Sequence, residues 1–138
     1  MTRLIAALLF CLACLGNAAA DDATTVKVTP VLTTTRTATD QPLVLPAQNP
    51  QVVVTKMEIA PGAKLPRHMH PFARYAYVLE GEVTVEYEGG QRQTFHAGEF
   101  IVEATAVWHF GTNTGVVPLR LLVIDQVEAG KSNTIVAN

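Results

Sequence analysis

Of the four histidines in the sequence, His68 and His70 stand two residues apart. On an extended strand, side chains alternate between faces, so this pair projects from one face. Two imidazoles so placed, joined by a third from another strand, make a facial set of three nitrogens for a divalent transition metal. His109 is the expected third member, at the end of a strand read over Ala106 to Phe110. Only neutral imidazole ligates, so affinity is expected to fall as pH drops through the histidine range. Taken alone, a His-x-His pair also occurs on surfaces by chance. His96, in the approach to the Ala97-Gly98 turn, reads as a surface histidine.

Strands must position these side chains. The 138 residues allow one domain, and 49% hydrophobic against 16% charged residues describes a core-forming chain. Ten Lys+Arg against 12 Asp+Glu leaves no excess positive charge for a broad phosphate-binding surface. Met1 to Arg3, the apolar run Leu4 to Leu15 and Ala18-Ala19-Ala20 read as a secretory signal. The run is shorter than the roughly 20 residues a spanning helix needs, so no membrane span is expected after cleavage. A lipoprotein signal using Cys14 is the alternative, but Cys11 stands where such signals prefer Leu.

Removing the first 20 of 138 residues leaves 118 and takes away both cysteines and Arg3. What remains has 9 Lys+Arg against 12 Asp+Glu, a charge of −3, and cannot use a disulfide, a thiol nucleophile or a thiolate ligand. An exported chain of this kind, periplasmic or extracellular, must rest on its core, on an oligomer, or on both.

Residues 21–50 read as a Thr- and Pro-rich arm, with eight threonines between Asp22 and Asp40. Within it, Val26-Lys27-Val28 is a candidate edge strand, on a partner subunit if the chain is a homodimer. Strand signals then run through Val52–Ile59, Tyr75–Leu79, Val83–Tyr87, Arg92–Phe95, Phe100–Glu103, Val107–Phe110 and Leu119–Val127, separated by Gly, Pro and Asn turns. Val83, Val85 and Tyr87 alternate with Glu82, Glu86 and Glu88, the period of a half-buried strand. Residues 51–127 are therefore expected to form an all-β barrel or sandwich, with 128–138 as a C-terminal tail.

Two spacings then resemble the cupin superfamily. Gly62, five residues, His68-Met69-His70, three residues, Arg74, six residues and Gly81 follow its first motif. Gly98, five residues, Ala104-Thr105-Ala106, two residues, His109, three residues and Asn113 follow its second. The resemblance covers Val52 to about Asp125 and implies a small single-domain jelly-roll barrel of two antiparallel sheets, often dimeric. It also implies one divalent metal per chain (Fe, Mn, Ni or Zn) on His68, His70 and His109.

The sequence departs from the family at Arg74, where most cupins carry a ligating glutamate. A guanidinium keeps its proton and cannot ligate. At 4 Å from a divalent ion it would oppose it by roughly 8 kcal/mol at an effective dielectric near 20. Its head must turn aside, or a carboxylate must neutralise it, or no metal is bound. Glu103 is the expected carboxylate, either paired with Arg74 inside the barrel mouth or standing in as an oxygen ligand; its alternative is to face solvent. Ala104 and Ala106 replace the usual Pro and Gly of the turn before His109. Arg74, Glu103 and Tyr75 are the catalytic candidates. Tyr77 and Phe72 are candidate mouth residues, and Trp108 is expected to face away from His109.

Three functions fit. One is a metal-dependent cupin enzyme, an oxidoreductase of the dioxygenase-like kind or an isomerase-like one, in which Arg74 would clamp a substrate carboxylate. The second is a non-catalytic module binding a small anion, and the third is a structural barrel with a degenerate site. No nucleotide loop, Ser-His-Asp order, nucleic-acid motif or amphipathic membrane helix competes with them.

Overall fold

Val83, Val85 and Tyr87 point inward and Glu82, Thr84 and Glu86 outward along one strand, and the same alternation organises the barrel. A computed structural model describes residues 26–138. The proposed signal, Cys11, Cys14, Thr24 and Thr25 lie outside these residues.

Nine strands form in chain order: β1 (Pro50–Ile59), β2 (His68–Met69), β3 (Arg74–Glu80), β4 (Glu82–Tyr87), β5 (Arg92–His96), β6 (Phe100–Val102), β7 (His109–Asn113), β8 (Leu119–Glu128) and β9 (Ile135–Val136). They make two antiparallel sheets, β1-β8-β3-β6 and β5-β4-β7-β2-β9, the double-sheet barrel expected. Between the sheets lie Ile59, Ala76, Val78, Val83, Ile101, Leu119 and Val123. The longest inward row is on β8, where Leu119, Leu121, Val123, Asp125 and Val127 are all buried. Among the described residues no helix is long and apolar enough to cross a membrane.

Turns are set by a few positions. Gly81, between β3 and β4, has φ of 80°, and a Cβ there would meet the Pro118 carbonyl oxygen at 3.0 Å. Only glycine combines that backbone with that clearance. Asn113 is fully buried; its Nδ2 donates to the carbonyls of Ile59 and Val117, both at 2.9 Å, tying the ends of β1 and β7 to the start of β8.

Three places differ from the sequence reading. His109 opens β7 instead of closing a strand from Ala106, because Thr105 to Trp108 are given over to the turn. Residues 128–138 are more than a tail: β9 pairs with β2. Val26 to Leu32 enter no strand and lie exposed. The arm engages the barrel further on, where a hook runs from Thr35 to Leu43. The Ala38 amide donates to the Val102 carbonyl at 2.8 Å, and Gln93 Nε2 donates to the Ala38 carbonyl at 2.8 Å. This hook bridges the β6 edge of one sheet to the β5 edge of the other. Gln41 brackets Thr105, donating to its carbonyl at 2.9 Å and accepting from its amide at 3.0 Å.

The bracketed turn carries strain. Ala106, at the position where the resembling family has glycine, sits at φ of 55°. Alanine in the left-handed region costs about 1–2 kcal/mol, part of which glycine returns through its looser unfolded chain. Ala106→Gly is therefore expected to raise stability by up to about 1 kcal/mol, read as a higher denaturant midpoint at unchanged slope.

Candidate metal centre

The β2–β7 pairing sets His68 directly opposite His109. His70, just past β2, is held by a parallel bridge to Thr105 and by donation from the Ala106 amide to its carbonyl at 2.8 Å. The three rings converge, with centroids 4.6–4.9 Å apart. Their ligand nitrogens lie within 4.8 Å of one another, and all three residues are buried.

Each ring is oriented by a backbone carbonyl. His68 Nδ1 lies 2.7 Å from the Pro66 oxygen, His70 Nδ1 2.6 Å from that of Asn133, and His109 Nδ1 2.9 Å from that of Val107. A carbonyl only accepts, so each Nδ1 carries the proton and each neutral ring presents its Nε2 lone pair. Three lone pairs thus face a common point, with the outer nitrogen anchored as in metal-ligating histidines generally.

Glu103 faces inward and joins them. Its Oε2 lies 3.1 Å from His70 Nε2 and 3.3 Å from His109 Nε2, with 18% of the side chain exposed. Two imidazole lone pairs and a carboxylate cannot sit this close without a proton or a cation between them. Hydrogen bonds to His109 and His70 outweigh burial and hold the Glu103 carboxyl well below the usual carboxylate range. For His109, burial lowers the pKa, but hydrogen bonding to Glu103 prevails and the net shift is upward. Burial pushes His68 down. With its proton on Nδ1, His109 has no hydrogen-bond partner for Nε2 among the described residues, so a proton or a cation at this point would complete the cluster.

Arg74 does not pair with Glu103, contrary to the sequence expectation. The β3–β8 register places it opposite Asp125, which takes its guanidinium on two oxygens: Nε to Oδ1 at 2.7 Å and Nη2 to Oδ2 at 2.9 Å. A fork so filled is not free to clamp a substrate carboxylate. Nη1 reaches His70 Nε2 at 3.4 Å and Nη2 also donates to Thr134 at 3.2 Å. Neutralisation by a carboxylate, one of the options the sequence left, is the one realised, with a different acid.

Tyr75 turns to the outer face. Its hydroxyl donates to Gln126 at 2.6 Å and its ring lines a groove with Val31, Leu32 and Phe100, away from the histidines. Tyr77 packs near Phe100 on the same side, and neither it nor Phe72 lines the inner cavity. Trp108 does not line the cavity and lies under the Arg67 guanidinium at 5.2 Å. His96 is exposed, as expected.

Sequence reasoning missed the support of His70. Asn133 gives His70 its carbonyl, donates from Nδ2 to Asp125 Oδ1 at 2.5 Å, and accepts from the Phe72 amide at 2.8 Å. Nothing in its sequence context marks it. Alanine at 133 keeps the main-chain carbonyl and removes only the side-chain ties to Asp125 and Phe72 that fix its position. Asn133→Ala is therefore expected to lower metal affinity by up to about 10-fold, measured by competitive titration against a chelator. Tyr87 was missed too: it lies opposite His109 in the β4–β7 ladder, and its buried hydroxyl has no protein partner.

His68, His109, Glu103 and Arg74 line one wall of a cavity of about 340 Å³ inside the barrel. Residues 55–125 match the family model described as a cupin domain. No curated protein matches. Among solved structures, the chain is similar to an oxalate decarboxylase from Lactobacillus farciminis in its formate complex, at 24% identity and a TM-score of 0.54, over 65% of this chain and 27% of that one. It is similar to the polyketide cyclase RemF from Streptomyces resistomycificus at 24% identity and 0.52, over 63% and 62%. The protein BH2720 from Bacillus halodurans gives 25% and 0.51, over 62% and 68%. The first two likenesses show the fold alone, and the chain spans only about a quarter of the decarboxylase.

Proposed function

The chain belongs to the cupin family, and from that premise we propose that it is an exported metal-dependent cupin acting on a small molecule. The observation that carries this reading is the set of three rings, each anchored through Nδ1 to a backbone carbonyl with Nε2 turned to a shared point. His68, His70 and His109 would hold one divalent ion (Fe, Mn, Ni or Zn), and Glu103 would add an oxygen in place of the acid that Arg74 replaces. Such an ion supplies Lewis acidity toward an oxygen of the bound molecule.

The remaining work falls to this chain's own residues. Glu103 reaches both the cluster and the cavity, so its carboxylate can ligate the ion or accept a hydrogen bond from the bound molecule. Asn133 and Asp125 keep His70 and Arg74 in place, and the apolar walls exclude water. This arrangement supports oxidoreductase chemistry of the dioxygenase-like kind or isomerase-like chemistry. Binding without turnover is the second reading, supported by the lined cavity beside the cluster; the filled fork of Arg74 takes no part in it. Elemental analysis of protein purified from its own compartment, without a nickel column, tests the metal. About one transition-metal ion per chain supports the reading, and none at any pH refutes it. Multiple turnover by the loaded protein separates enzyme from binding module.

Homodimerisation is part of the same proposal. Among the described residues β1 pairs only with β8, and Val52, Val53 and Val54 on it are exposed. Val26, Val28, Val31 and Leu32 in the arm are exposed as well. A second copy laying its arm on this edge would cover both. Sedimentation at micromolar concentration should show a dimer that weakens when residues 21–34 are deleted; a monomer at high concentration rules it out.

A further inference from the structure

The cavity beside the three histidines is polar at one end only. That end holds His68, His109, Glu103, Arg74 and Thr134. Beyond it the walls are apolar, with Met57, Ile59, Leu65, Val85, Ile101 and Leu121 among them, and Thr55 is the one other hydrogen-bonding side chain in the lining. Charge at the polar end is limited too. Arg74 and Asp125 cancel through their two-point contact, so a divalent ion held by three neutral imidazoles and Glu103 leaves one net positive charge.

From this polarity and charge we infer that the cavity takes an aliphatic monoanion, with one carboxylate-type head at the histidine wall and an apolar body in the barrel. The inference rests on the metal-centre reading above and adds the ligand class to it. A dianion would bring a second charge with no cation left to meet it. A sugar or sugar phosphate would bury hydroxyls against Val, Ile and Leu, where unpartnered polar groups are costly. An alkyl chain loses nothing there, and 340 Å³ has room for one.

The test uses the zinc-loaded protein and straight-chain monocarboxylates from acetate to hexanoate, followed by calorimetry, with zinc uptake measured separately. Affinity should tighten roughly 3- to 4-fold per added methylene. Succinate and ribose 5-phosphate should bind at least about 10-fold more weakly than hexanoate, since each leaves a charge or hydroxyls unmet. Met57→Gln, at a half-buried wall position, should weaken hexanoate several-fold while acetate and zinc affinity stay unchanged. A flat series, or succinate or ribose 5-phosphate equal to hexanoate, overturns the ligand class while leaving the metal centre standing. Failure to take up zinc overturns both.

Discussion

Changing His70 to alanine is expected to lower metal affinity by about 100-fold, since it removes one of three converging nitrogens and leaves only His68, His109 and Glu103 to hold an ion. In the intact protein, affinity should rise with pH and level off above the raised pKa of His109, because protons compete with the metal for the ring nitrogen. Stability follows a related course. The Glu103 carboxyl is lowered on folding, so its contribution is present above the ordinary carboxylate range and is lost only in strong acid. His109 is raised, so its contribution is complete below about 6.5 and fades as pH climbs through the folded value. His68 is lowered and acts oppositely, losing stability as pH falls below about 6.5. Metal-free protein should therefore soften as pH rises past the His109 transition, whereas protein with metal at about 100 times its Kd should gain roughly 2.7 kcal/mol there. Melting curves with and without chelator read both. Equal curves across that range would rule out metal at this cluster.

The largest loss of stability is expected from Asp125→Ala. Arg74 and Asp125 retain only 14% and 9% side-chain exposure, and two-point contact fixes them. Removing the acid alone strands a guanidinium in the barrel, which typically costs about 3–5 kcal/mol. It also leaves an unopposed cation 3.4 Å from His70 Nε2, so metal affinity should fall in parallel. The double variant Arg74→Met/Asp125→Leu should recover most of the stability, because it removes the charge together with its partner. Urea denaturation of the single and double variants measures this. Additive losses would mean the pair is not coupled.

The three-histidine cluster was legible because its information is local: His-x-His spacing on an extended segment, and His109 at the distance the family resemblance implies. Barrel strands were legible for the same reason, since inward and outward residues alternate along each one. Asp125 was half visible, standing in step with Leu119, Leu121 and Val123 on the buried row of β8. What the period could not show was its partner. Pairing Arg74 with Asp125 depends on the register between β3 and β8, which is set by the whole sheet. The orientation of Glu103 was hidden because β6 ends at Val102, so alternation gives no rule for the next residue. β2 and β9 are two residues each, too short to carry a period.

The carbonyl that orients His70 comes from Asn133, 63 positions later in the chain. Synthesis runs from the N-terminus, so His70 emerges long before the group that aims it. The three-ring cluster is therefore incomplete until nearly the whole chain has been made, and an ion held there would be one taken up by the finished barrel.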